Sequence, residues 1–368
     1  MSTDFISLAT ASIQGMRPYL PGKPVEELER EMGLTNIIKL ASNENPRGPS
    51  EKVLQAIQAG GSQLTRYPDG NGFQLKQKLA QHHGLDPDMI TLGNGSNDVL
   101  ELIARAFCNS SSEIIFSQYS FVVYALAAQA VGATSVVTKA HDWGHDLQAM
   151  AAAVTMRTGV IFLANPNNPT GTHFSAQALE TFLQSVPSRV IVVLDEAYSE
   201  YVSQEEYPDG LKFMARYDNL VVTRTFSKAY GLAAMRVGFC VANTQITDVL
   251  NRVRQPFNVG SLGLLAACAA IDDSDYLSQS VAMNQQGMAQ LESGFEQLKL
   301  EYIASLGNFV CVDLKRDAMP IYQSLLEKGV IVRPVANYGM PNHLRVSIGL
   351  ESENQRFIEA LGSVIKAL

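Results

Sequence analysis

The sequence predicts an α/β protein: a large domain on a mainly parallel sheet of about seven strands, joined to a smaller α+β domain. Three observations carry that prediction. Seven short apolar runs recur between Ile90 and Val241, mostly continuous in hydrophobicity rather than alternating, as strands covered on both faces tend to be. Stretches of helical length separate most of them, which is the spacing of βαβ units. After about residue 250 the texture changes to a long helical region followed by three further strand-like runs. The expected division is an N-terminal arm with part of the small domain over residues 1–45, the large domain over 46–255, and the small C-terminal domain over 256–368.

Taken in order, Arg17-Pro18-Tyr19-Leu20-Pro21-Gly22 is a stiff connector in which proline restricts both neighbours. Pro24–Glu31 reads as a helix with proline near its start and Gly33 after its end. Ile37–Leu40 is a short strand, and Asn43-Glu44-Asn45-Pro46 opens a polar loop. The seven runs of the sheet are Ile90–Leu92, Ile114–Phe116, Ser135–Val137, Val160–Leu163, Val190–Leu194, Leu220–Val222 and Val237–Val241. The last return is the exception to the βαβ spacing, because few residues separate Val222 from Val237. A helical region then runs from Ser261 to Leu300, broken near Asp272-Asp273-Ser274. Phe309–Leu314, Val330–Val332 and Leu344–Ile348 read as strands, and Glu353–Leu368 as an amphipathic tail helix.

Composition narrows the function. Apolar residues make up 46% and charged residues 17%, ordinary values for a globular chain with a sizeable core. The formal net charge of −8 leaves no basic excess to neutralise phosphates, so nucleic acid is not an expected partner. No apolar stretch approaches membrane-spanning length, and Met1–Phe5 lacks a basic region leading into an apolar core. Cys108, Cys240, Cys268 and Cys311 are far apart and read as apolar thiols in a reducing, cytoplasmic protein. His82-His83 has no apparent third ligand and reads as a helix end, so no metal is expected.

In open α/β sheets ligands bind outside the carboxyl ends of the strands, and four such ends carry unusual polar residues. Leu92-Gly93-Asn94-Gly95-Ser96-Asn97-Asp98 is a glycine turn feeding a helix, either a phosphate cradle or a plain turn with its cap. Asp98 stands where a dinucleotide fingerprint needs glycine or alanine, which argues against a nicotinamide cofactor. Ala164-Asn165-Pro166-Asn167-Asn168-Pro169-Thr170-Gly171 is either a tight connection of turn formers or a rigid loop aiming an amide into a pocket. Asp195 ends a five-residue apolar run, where an unpaired carboxylate is costly to bury. A pyridinium N–H would suit it, although a lone Asp there also serves as a helix cap; Tyr198 is within reach of the same ligand. After Leu220–Val222 come Thr225, Ser227, Lys228 and Arg236. Two hydroxyls and a guanidinium suit a phosphate monoester. Lysine is rarely fully buried unless paired, so Lys228 at a core strand's end suggests a reactive amine beside an anion site, and the expectation is that it holds a cofactor aldehyde as a Schiff base.

With these motifs in hand, the chain resembles the fold type I aminotransferases that use pyridoxal 5′-phosphate. Asn168-Pro169-Thr170-Gly171, Asp195-Glu196-Ala197-Tyr198, Ser227-Lys228 and the Lys228-to-Arg236 spacing carry the resemblance, which covers nearly the whole chain. Within that group it looks most like the histidinol-phosphate aminotransferase subfamily, through Leu40–Pro46, Arg66-Tyr67-Pro68-Asp69 and Leu344–Gly349. The resemblance implies Lys228 as the Schiff-base lysine and proton carrier, Asp195 on the pyridine nitrogen, and Asn168 and Tyr198 on the ring O3′. It implies Tyr119 stacked on the ring face, and Gly95, Ser96, Asn97, Thr225, Ser227 and Arg236 around the phosphate. Tyr67 would cross a homodimer interface to the neighbour's cofactor phosphate. Arg345, Arg333 and Tyr19 would receive both a substrate phosphate ester and the carboxylate of glutamate. The implied substrates are histidinol phosphate or imidazole acetol phosphate with glutamate and 2-oxoglutarate, in ping-pong turnover. The alternatives are an aromatic (Phe/Tyr) aminotransferase, a pyridoxal phosphate-dependent decarboxylase of a phosphorylated amino acid, and a ligand-sensing domain. The last is disfavoured by the lack of basic excess.

Overall fold

The computed structural model describes residues 3–19 and 21–367. Leu20 of the proline-rich connector and Leu368 of the predicted tail helix lie outside them. Thirteen strands occur among the described residues. They are β1 (Ile38–Lys39), β2 (Ile90–Gly93), β3 (Glu113–Ser117), β4 (Thr134–Thr138), β5 (Thr158–Ala164), β6 (Ile191–Asp195), β7 (Leu220–Thr225), β8 (Gly238–Val241), β9 (Glu301–Ile303), β10 (Phe309–Asp313), β11 (Val330–Ile331), β12 (Arg333–Pro334) and β13 (His343–Ser347).

All seven runs of the predicted sheet are strands of one sheet, in the order β2-β8-β7-β6-β5-β3-β4. The pairs β4–β3, β3–β5, β5–β6 and β6–β7 are parallel. Strand β8 runs antiparallel to both β7 and β2. The Phe226–Val237 connection holds only a short 3-10 turn at Ala233–Met235, too little for the crossover a parallel return needs. The hairpin that results is where Ser227, Lys228 and Arg236 sit.

Continuous hydrophobicity is explained by two covered faces. Along the centre of the sheet, Ile161, Leu163, Val192, Leu194 and Val222 enter one cluster, with Val53, Leu75, Leu179 and Ala266 from the helices Glu51–Gly60, Phe73–His83, Ala176–Ser185 and Ser261–Ile271. Val160, Phe162, Val193 and Val221 enter the other, with Val99, Tyr124 and Leu250 from Ser96–Phe107, Val122–Ala130 and Thr244–Val253. Each fully buried aliphatic or aromatic side chain contributes about 1.5–3 kcal/mol, so the alternation along every strand stitches both helix layers to the sheet.

The predicted helix before the sheet forms at Val25–Met32, and Gly33 at φ 66° donates its N–H to the Glu29 carbonyl to end it. The long helical region is Ser261–Ile271 and Ser274–Gln297, broken where expected. The last third forms a second core. An antiparallel sheet in the order β12-β13-β10-β9 packs with the helices Ser274–Gln297, Ala318–Glu327 and Glu351–Ala367. Ile38 and Leu40 join this core, and β1 pairs in parallel with β11. Strands β9 and β12 were not read from the sequence. Both are edge strands of two or three residues, and Pro334 is tolerated in β12 because an edge leaves one side of the ladder open.

Candidate active site

A cavity of about 240 Å³ lies where the carboxyl ends of β5, β6 and β7 meet β12 and β13. Its wall takes Asn168 from the loop after β5, Asp195 and Tyr198 from the end of β6, and Thr225, Ser227, Lys228 and Arg236 from the β7–β8 hairpin. Ser96 and Asn97 at the start of helix Ser96–Phe107 contribute at one end, and Tyr19, Arg333 and Arg345 at the other.

Lys228 is half-buried, and its Nζ donates to the Ser42 carbonyl at 3.2 Å. Burial, followed by the Arg345 guanidinium, brings the amine down from 10.5 to about 8. Asp195 is buried; Tyr124 donates to its Oδ2 at 2.8 Å and Thr223, its register neighbour on β7, to its Oδ1 at 2.9 Å. Burial raises its carboxyl above the usual range, against the pull of those two hydroxyls. Tyr198 Oη accepts two amide N–H groups, from Asn43 at 3.0 Å and Asn168 at 3.1 Å. Asn168 Oδ1 in turn accepts from Arg345 Nη1 at 2.6 Å.

At the helix end, Gly95 has φ 80° and packs so closely on Arg236 that a Cβ there would stand 2.3 Å from Nη2. Arg236 donates to Ser227 Oγ at 3.3 Å and to the Ala233 carbonyl at 3.1 Å. Thr225 Oγ1 accepts the Ser227 N–H at 3.1 Å. A helix start, two hydroxyls and a guanidinium around one space form a site for a phosphate dianion. At the opposite end Arg345 is buried, with Nη2 on the Ala41 carbonyl at 2.8 Å. Its Nε has no partner among the described residues. The Arg333 guanidinium lies 5.9 Å from the Tyr19 ring centroid.

Of the residues singled out in the sequence, Gly95 stands behind Arg236 rather than on the wall, and two more lie elsewhere. Tyr119 does not line the cavity. Its backbone is left-handed at φ 57°, Asn167 Nδ2 holds its carbonyl at 3.0 Å, and its ring packs against Trp143 with centroids 5.1 Å apart. Phe121, two residues on, lines the cavity instead. Tyr119 stands in the turn that follows β3, and Phe121 is the N-cap residue of helix Val122–Ala130. Tyr67 is 83% exposed, stacks on Phe257 at 4.7 Å, and stands outside its own chain's cavity. Sequence reasoning missed Asn43, Glu44, Phe121 and Tyr338 on the cavity wall and Tyr124 behind Asp195. Asn43 lay within a stretch already noted, but nothing local marks it as facing Tyr198. Behind the sheet, fully buried Glu196 holds Arg224 at 2.7 Å, a charge pair that keeps the neighbour of Asp195 turned to the opposite face.

Residues 35–361 match the aminotransferase class I and II family. The chain is 60% identical over 365 residues to histidinol-phosphate aminotransferase 2 of Pseudomonas aeruginosa, covering 99% of each chain. It is 53% identical over 361 residues to histidinol-phosphate aminotransferase 2 of Pasteurella multocida, covering 98% of this chain and 99% of that one. Among solved structures, it superposes with TM-score 0.91 on histidinol-phosphate aminotransferase from Sinorhizobium meliloti in complex with pyridoxal-5′-phosphate, at 29% identity and 98% coverage of both chains.

Proposed function

We propose, for a chain that belongs to the aminotransferase class I and II family, that it moves the amino group of histidinol phosphate to 2-oxoglutarate with pyridoxal 5′-phosphate as cofactor. The observation that carries the reading is that a depressed lysine amine, a buried carboxylate and a phosphate-sized donor cluster share one cavity with two arginines at its far end.

The residues present fit the cofactor. Asp195 keeps a buried carboxylate within the wall, the Gly95 cradle has no room for a side chain, and Arg345 Nε is left without a partner among the described residues. Ser96, Asn97, Thr225, Ser227 and Arg236 would hold the phosphate, Asp195 the ring nitrogen, Tyr198 and Asn168 the phenolic oxygen, and Phe121 a ring face. Bound there, pyridoxal phosphate supplies the aldehyde that takes up the amino group and a ring that withdraws electrons from the substrate Cα. Lys228, whose amine is in part neutral at physiological pH, takes the Cα proton and returns it one position away. Tyr124 and Thr223 fix the Asp195 carboxylate so that it keeps a proton on the ring nitrogen. Arg345 and Arg333 receive the phosphate of histidinol phosphate in one half of the cycle and the carboxylate of glutamate in the other, since a guanidinium fork suits both anions.

The active unit is a homodimer in which Tyr67 reaches the second copy's cofactor phosphate. Its exposure, with Leu64 and Phe257 exposed beside it, supports that role. The four unpaired cysteines support a reducing, cytoplasmic setting. No helix of the described residues is long and apolar enough to cross a membrane.

The deciding experiment is a half-reaction. Purified enzyme carrying its cofactor is mixed with histidinol phosphate, phenylalanine or glutamate, and loss of the lysine-linked visible absorbance is followed. Histidinol phosphate and glutamate should both discharge the band, with kcat/KM for histidinol phosphate well above that for phenylalanine. The reverse order would make the chain an aromatic aminotransferase, and carbon dioxide release without glutamate formation would make it a decarboxylase.

A further inference from the structure

Asn43 is buried, and its backbone is left-handed at φ 55°. Among residues with side chains, asparagine and aspartate are the ones that visit that conformation most readily. All four of its hydrogen-bonding groups are engaged. Its N–H donates to Ser347 Oγ at 2.7 Å, and its carbonyl accepts from Asn308 Nδ2 at 2.9 Å. Its Oδ1 accepts from Ser347 Oγ at 3.1 Å, which leaves Nδ2 to donate to Tyr198 Oη at 3.0 Å. The anchors belong to the second core, Ser347 ending β13 and Asn308 preceding β10, whereas Tyr198 follows β6 of the main sheet.

A phenol has one proton to donate and two acceptor sites. Asn43 and Asn168 fill both acceptor sites of Tyr198, at 3.0 and 3.1 Å. The proton is the capacity that neither amide uses, and Tyr198 lines the cavity. We propose that Asn43 is a positioning residue for the reaction: clamped by Ser347 and Asn308, its amide turns the Tyr198 proton toward the cofactor's phenolic oxygen and strengthens that donation. The proposal rests on the cavity holding pyridoxal phosphate on Lys228. Hydrogen bonds in a chain polarise one another. Burial pushes the Tyr198 phenol up to about 12, while Arg345 and then Asn43 pull against it. Asp195, Tyr338 and Lys228 also face this ring, and the variants below leave all of them in place. Asn43 does not act alone: the Ala41 carbonyl accepts Arg345 Nη2 and the Ser42 carbonyl accepts Lys228 Nζ. Three consecutive residues thus each touch a side chain of the cavity, and a shift of β13 is carried to Tyr198 through the third.

The test is a pH titration of the visible band of the lysine-linked cofactor in parent, Asn43→Gly, Asn43→Asp and Ser347→Ala. Glycine accepts the left-handed backbone and removes the donor to Tyr198 together with the Ser347 contact. A weaker Tyr198 donor leaves the phenolic oxygen more basic, so the midpoint should move up by about half to one pH unit, the worth of one hydrogen bond. Asn43→Asp keeps the backbone and the Ser347 contact but offers an acceptor; its midpoint should rise at least as far. Ser347→Ala frees the amide to rotate and should move the midpoint in the same direction by less. A midpoint in both Asn43 variants within about 0.2 unit of parent, with folding and cofactor content intact, overturns the proposal and leaves the function untouched. A parent protein with no lysine-linked band overturns both.

Discussion

Replacing Lys228 with methionine converts the burial of a reactive amine into a measurable stability. The cavity holds that amine at about 8 where 10.5 is ordinary, through burial first and the Arg345 guanidinium second. In the cofactor-free protein at neutral pH, the folded chain therefore carries an ammonium that it solvates poorly. At 1.36 kcal/mol per pH unit of displacement, the cost to the folded state below pH 8 is about 3 kcal/mol, an upper figure because the amine opens on the cavity. Between the folded value near 8 and the unfolded value of 10.5, the unfolded chain binds more protons. Stability therefore rises with pH through that window, and the cost disappears above it. Methionine keeps most of the stem packing and drops the charge, but it leaves the Ser42 carbonyl without its 3.2 Å donor, an offset of about 1 kcal/mol. The cofactor-free variant should be more stable than the cofactor-free parent by about 2 kcal/mol at pH 7, with the difference falling away as pH approaches 10.5. Urea denaturation of the pair at fixed ionic strength, across that pH range, measures it. A variant less stable than parent at pH 7, or a difference indifferent to pH, refutes the argument that this lysine is held against its preferred charge.

Asp195→Ala should retain cofactor but slow proton removal from the substrate, on the order of 10²–10³-fold in single turnover; an unchanged rate removes Asp195 from its role. Arg345→Gln should raise KM for glutamate about 10–100-fold, the worth of a charge-assisted hydrogen bond, and an unchanged KM would assign the carboxylate to another group. Phe121→Ala should weaken cofactor binding about 3–10-fold through lost aromatic packing, while Tyr119→Ala should stay near parent in equilibrium dialysis. The opposite ranking would return the stacking role to Tyr119.

The sheet was legible because its strands are buried on both faces. Val160–Leu163 and Val190–Leu194 advertise themselves as unbroken apolar runs, and a carboxylate or lysine at the end of such a run is conspicuous. The direction of β8 was signalled only by a connection too short for a crossover, a constraint of chain length rather than of composition. Strands β9 and β12 carry too few residues for any periodicity, and their pairing is supplied by neighbours distant in sequence. The same division runs through the site. Lys228, Asp195, Asn168 and Arg236 follow strands and could be read one segment at a time. Phe121 and Tyr119 are two residues apart, and the backbone at 119 is left-handed, a dihedral that no apolar pattern encodes. Asn43 and Tyr124 act on Tyr198 and Asp195 across 155 and 71 residues, so their roles exist only after the chain has folded.

Strand β1 sets an order of events. Ile38 and Lys39 lie beside Val330 and Ile331, and the Leu40 carbonyl receives the Ser347 N–H at 2.9 Å. At ribosomal rates of about 5–20 residues per second, the first of those segments waits roughly 15–60 s for the other to be made. Meanwhile the main sheet, whose seven strands fall between Ile90 and Val241, can close on its own helices. Leu28, Leu40 and Ala41, fully shielded in the finished molecule, remain open to solvent or to chaperones for that interval. The carbonyls of Ala41 and Ser42 and the amide of Asn43 arrive at Arg345, Lys228 and Tyr198 with the same late docking. A nascent chain can thus present a finished phosphate cradle well before it presents a competent lysine, and catalytic power appears only when the earliest-made segment finds the latest-made strands.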